Sequence, residues 1–130
     1  MKLNFKEEIE AIDGCPGTNE SGTKKLYRFV KLPLDGKSFI PHSVKHKPRF
    51  KNNCIAWGLS TYDTLKSARQ AYKNLPETRR AEFDGIAFGD VKDIDGTKYQ
   101  STKNLRHYTF FPLEKLSCVA LFANIESYEN

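Results

Sequence analysis

CIAWGLSTYDTLKSARQAYKNLP, residues 54–76, is the stretch on which the fold turns. Its first seven residues, 54–60, are almost continuously apolar and too short for a helix, which predicts a central strand. Helical spacing follows at once. Leu65, Ala68, Tyr72 and Leu75 recur on one face, with Asp63 as the predicted N-cap and Pro76 as the stop. A helix over 63–75 that leaves directly from a strand predicts one crossover connection. PETRRAEF, from Pro76, is a place for a fresh turn.

Downstream, GIAFGDV (85–91) and TKY (97–99) bracket Asp95-Gly96 and predict a strand and a hairpin. RHYTFF (106–111) and SCVALFA (117–123) are the last predicted strands, and the tail at 124–130 is predicted to fray. Upstream, LYRFVKL (26–32) predicts a strand closed by Pro33 and an Asp35-Gly36 turn. Residues 38–53 hold two prolines without a clear period and predict a long irregular segment. Residues 1–12 form a weak amphipathic pattern and 13–25 a Gly/Pro loop, so 1–25 is predicted to be partly flexible. The reading is α+β: a single domain over 1–130, with a mostly antiparallel twisted sheet of five or six strands and one main helix packed on it. There are too few helices for a doubly wound fold.

Nine Phe, six Tyr and one Trp in 130 residues supply a core without disulfide staples. No apolar run approaches the ~20 residues of a membrane-spanning helix, so no membrane partner is expected. MKLNFKEEIE has no apolar h-region, so no secretory leader is expected either. Cys15, Cys54 and Cys118 are odd in number and irregular in spacing, which predicts free thiols in a reducing, cytoplasmic setting. The net charge of +5 is unevenly placed: residues 1–23 carry −3, and residues 24–51 carry +8, nine Lys or Arg against Asp35 alone. Such a block attracts an anion or forms a solvated basic face.

Arg28 stands out within that block. Strand alternation puts it on the apolar face of Leu26, Val30 and Leu32, where a guanidinium needs a carboxylate such as Glu114 or Asp84, a set of carbonyls, or an anionic ligand. His107 is a candidate general base, and otherwise a half-buried structural histidine. Its His-x-Thr resembles the two-histidine phosphoesterase motif, but only one copy occurs, which rejects that family. His42 and His46 with Cys54 and Cys15 have no C-x-x-C framework and lie in strongly positive surroundings, so no metal is expected. Asp93-x-Asp95-Gly96 fails as a calcium loop because Val91 and Thr102 occupy its first and last ligand positions. Nucleotide fingerprints, nucleophile elbows and zincin motifs are all missing. Lys45, Lys47, Arg49 and Lys51 around Phe50 form a basic loop over 42–51 suited to an acidic protein, and less well to nucleic acid, because the rest of the chain is near neutral.

Tyr27-Arg28 on an early strand, followed by Gly58-Leu59-Ser60-Thr61-Tyr62 running into a helix with Ala68 and Ala71, resembles the small ADP-ribosyltransferase-like domains, including the RES-type NAD-consuming toxins. The resemblance implies NAD as ligand, with Arg28 on its phosphates or ribose and Ser60 with Thr61 supporting the pocket floor. The third position, an acid or polar residue acting on the ribose, falls on His107 or Glu114, and no E-x-E or Q-x-E occurs. Two expectations follow: a cleft for NAD or a related anionic nucleotide, or a non-enzymatic module whose basic loop docks an acidic macromolecule.

Overall fold

The computed structural model describes residues 2–45, 51–102 and 106–129. Six strands make one sheet: β1 (Lys24–Val30), β2 (Leu59–Tyr62), β3 (Gly85–Val91), β4 (Gly96–Gln100), β5 (His107–Pro112) and β6 (Asn124–Glu126). Their order is β4-β5-β2-β1-β3-β6, and all neighbours are antiparallel. β2 and β3 flank β1 and both oppose it, so they run parallel to each other. After two short helices, α1 (Lys6–Glu10) and α2 (His42–Lys45), helix α3 (Leu65–Asn74), preceding a short α4 (Glu77–Arg80), makes the crossover between them. The architecture is α+β, as the helix–strand tally predicts.

Several local expectations are corrected. Residues 54–57 are a 3-10 turn rather than the start of a strand. Ala56 and Trp57 are buried there, 7% and 4% exposed, while Ile55 points out at 38%, so an apolar run here reports partial burial and not extension. The N-cap of α3 is Thr64, whose Oγ1 accepts from Ser67 N at 3.0 Å. Asp63 is otherwise engaged, because its carboxylate takes bonds of 2.6 to 2.9 Å from the Arg106 guanidinium. Residues 118–121 form helix α5 (Cys118–Leu121), capped by Ser117 Oγ on Ala120 N. The last strand lies instead in the segment predicted to fray: β6 pairs with β3, and Tyr128 stacks on Tyr72 at 4.2 Å.

The predicted hairpin of 85–91 with 97–99 does not form. Residues 92–95 link β3 to β4, yet three strands lie between them in the sheet order. A link that short joins strands that far apart only if the sheet coils strongly, and Gly96 makes the bend at φ 145°.

Each face carries a core. Leu26, Val30, Leu59, Ala87, Val91, Phe110 and Phe122 pack under α5 and the 3-10 turn Gly36–Phe39. Here α5 sits so close that a Cβ on Gly89 would collide with the Leu121 carbonyl. On the other face, Tyr72 of α3 meets Phe29 edge-on, and Ile9 of helix α1 (Lys6–Glu10) packs with Trp57 and Phe111. The N-terminal segment is fastened along its length. Asn19 and Gly22 donate to Asp93, Glu20 accepts from Gln100 N and Tyr108 Oη, and Cys15 is disulfide-bonded to Cys54. That bond corrects the expectation of free thiols for two of the three cysteines and removes its argument for a reducing compartment. The two lie 39 residues apart in sequence, but the turn at 54–57 brings their Cα atoms to 5.7 Å. No described helix is long and apolar enough to cross a membrane.

Candidate functional site: a cationic groove where two strands part

β1 pairs with β3 over seven residues but with β2 only at Tyr27–Tyr62. Beyond that pair the two strands separate, and carbonyls that a ladder would satisfy are left facing a gap. Arg28 fills part of it. Its Nε donates to Ser38 O and its Nη1 to Ser60 O, both at 2.8 Å. The carbonyl set is therefore what answers this guanidinium, rather than Glu114 or Asp84. Two of its five N–H donors are used in this way. Burial pushes the Arg28 pKa down to about 10, which leaves it cationic at neutral pH.

The parted strands open into a groove of about 900 Å³. Arg28, Gly58, Ser60 and Tyr62 lie along the strands, Lys31, Lys37 and Lys45 come from the segment after β1, and Arg79, Glu82 and Phe83 from the region of α4. Its two carboxylates are occupied: Glu82 meets Arg79 at 2.9 Å and Lys45 at 3.7 Å, and Asp35 accepts from Lys37 N at 2.9 Å. Five Lys or Arg against two acids leave the groove positive. Arg28, Lys31, Lys37 and Lys45 of the basic block thus line one concave surface, which the sequence does not disclose.

Ser60 joins the groove to a polar chain behind it. Ser60 Oγ lies 2.6 Å from His107 Nε2, Ser101 Oγ lies 2.7 Å from His107 Nδ1, and Thr109 Oγ1 donates to Ser101 Oγ at 2.8 Å. The strand register explains the meeting: Tyr62 pairs with His107 and Ser60 with Thr109, so all four share one face. Tyr62 also meets the imidazole edge-on at 5.3 Å. Burial lowers the His107 pKa from its ordinary 6.5 and keeps the ring neutral.

That direction fixes a pH effect. The unfolded chain takes up the His107 proton before the folded one does, so this stabilisation is present above about pH 6.5 and is lost as the pH falls below it. Melting temperature is expected to drop as the pH falls below about 6.5, and His107→Gln to lose that part of the dependence. An unchanged profile in the variant contradicts it. Among the described residues the groups in contact with the ring are Ser60, Tyr62 and Ser101, and of these only the Tyr62 phenol titrates, its pKa raised by burial and so far above this window.

The other predicted positions are dispersed. Thr61 is fully buried with its hydroxyl on Tyr108 O, turned away from the groove, and Glu114 lies near Lys2 at 3.9 Å, outside the groove lining. Lys45 sits at the groove, while the Lys51 carbonyl accepts from Trp57 Nε1. Lys47 and Arg49 lie outside the described residues. Sequence reasoning missed Lys31, Lys37, Arg79 and Ser101. A Lys just past a strand, a Lys in a turn, an Arg in a short helix and a Ser after a strand are each too ordinary a signal to single out.

The site defines a class: a small α+β domain with a cationic groove at a strand opening and a Ser–His pair at its wall. No known family matches the chain, and no curated protein or solved structure is significantly similar to it.

Proposed function

We propose that the groove binds a small anionic ligand bearing phosphate, with NAD or a related nucleotide as the leading candidate. The observation that supports this is Arg28. It is a partly buried guanidinium held by two carbonyls, with no carboxylate against it among the described residues, in a groove where Glu82 is ion-paired and Asp35 accepts a backbone bond. A fixed, planar donor set with donors to spare suits a phosphate or diphosphate. The volume of about 900 Å³ is within the range of small-molecule sites. Lys31 and Lys37 form no ion pair among the described residues, so their charge adds to the attraction.

Binding is the part of the ADP-ribosyltransferase-like expectation that this geometry favours. A carboxylate acting on the ribose would have to be Glu82 or Asp35, the two acids in the lining, and both are engaged. The test is a thermal melt with millimolar NAD, ADP-ribose or pyrophosphate. Saturation to about 100 times Kd adds ~2.7 kcal/mol, a shift of several degrees. Lys37→Glu is expected to cut that shift sharply and to flatten its salt dependence. No shift with any of the three compounds contradicts the reading.

A further inference from the structure

We propose that Ser60 and His107 act as nucleophile and base in acyl transfer from a small ester that carries an anionic group. The anionic group rests on the groove reading above; the pair itself stands on its own geometry. A serine hydroxyl becomes a nucleophile when a base sits within hydrogen-bond reach and a third group orients that base. All three parts are in place: Ser60 Oγ is 2.6 Å from Nε2, and Ser101 Oγ is 2.7 Å from Nδ1. Three separate chain segments supply them, since Ser60 is on β2, His107 on β5, and Ser101 just after β4. Thr109 Oγ1, donating to Ser101 Oγ, holds the orienting hydroxyl in turn. Ser60 is exposed and lines the groove, so the nucleophile is open to a ligand while His107 is partly covered behind it.

The chemistry requires the imidazole proton on Nδ1, donated to Ser101 Oγ, so that Nε2 accepts from Ser60. Ser60 Oγ bonds to the ester carbonyl carbon as its proton passes to Nε2. The bond from that carbon to the alcohol oxygen then breaks, and the alcohol leaves with the proton. Water next gives a proton to Nε2 and its oxygen to the acyl carbon. The acid is released and the proton returns to Ser60 Oγ. Arg28, whose Nη1 donates to the Ser60 carbonyl at 2.8 Å, holds the backbone that carries the nucleophile.

The test is labelling of the full chain with a fluorophosphonate probe, read by intact mass and peptide mapping. The Ser60 oxygen attacks phosphorus, the P–F bond breaks, and fluoride departs while the proton goes to His107. One adduct on Ser60 is expected, absent in Ser60→Ala and at least ~100-fold slower in His107→Gln. Ser101→Ala is expected to slow labelling, and Ser101→Thr to restore it. Absence of a Ser60 adduct in protein that melts cooperatively overturns the proposal, as does an adduct that forms equally fast without His107. Labelling with no nucleotide-induced melting shift would remove the groove reading alone; a shift with no labelling would remove the nucleophile alone.

Discussion

Cys54→Ser, or reduction of the Cys15–Cys54 bond, is expected to lower the unfolding free energy by about 4 kcal/mol. The bond closes a loop of 39 residues, and restricting that loop in the unfolded chain accounts for most of the figure. For a domain of this length the corresponding fall in melting temperature is on the order of 15 °C. The bond also ties the N-terminal segment to the 3-10 turn that carries Trp57, where Ile9, Trp57 and Phe111 form the second core. Melts with and without reductant measure the loss. Alkylation of the denatured, unreduced chain is expected to modify Cys118 alone, and all three cysteines after reduction. In the folded protein Cys118 should react slowly, because burial pushes its thiol up to about 11. Three modified cysteines before reduction, or equal melting temperatures, contradict the account.

Arg28→Ala carries the second large effect, on stability and binding together. It deletes the donors to Ser38 O and Ser60 O, and hydrogen bonds from a charged group contribute about 1.5–3 kcal/mol each. Relief of the guanidinium's desolvation opposes that loss, so the net cost is about 3 kcal/mol. Arg28→Lys recovers little, since one ammonium cannot reproduce a planar fork across two carbonyls. Denaturant midpoints read the stability term. Nucleotide titration at a temperature where both variants are folded reads the other, and the melting shift given by NAD is expected to vanish. A variant as stable as wild type would mean that these carbonyls do not depend on Arg28; a retained shift would place the ligand elsewhere.

Much of the sheet is legible in the sequence because its strands alternate. GIAFGDV is β3 residue for residue, RHYTFF anticipates β5 to within one position, and the Leu26-Arg28-Val30 alternation correctly puts a cation among residues of 0% exposure. The misses share a cause. CIAW and CVAL are short apolar runs that form a turn and a helix, and four residues carry no period by which to tell those from a strand. Asp95-Gly96 is a genuine bend, but it leads into β4 on the far side of a coiled sheet, and which strand it meets depends on long-range pairing. The site follows the same division. Arg28, Ser60 and His107 are visible one at a time, whereas the cross-strand register that puts Ser60 beside His107 and the opening between β1 and β2 belong to the sheet as a whole.

The central claim is that the opening between β1 and β2 is an anion site built on Arg28. The most direct measurement is a nuclear magnetic resonance titration of isotope-labelled protein with NAD, following backbone amides and the Arg28 Nε–H. Saturable shifts at Arg28, Lys31, Lys37, Ser38 and Ser60, with little change across β6 and α5, are the predicted result. Absence of shifts at these residues, or shifts centred on another surface, would contradict it.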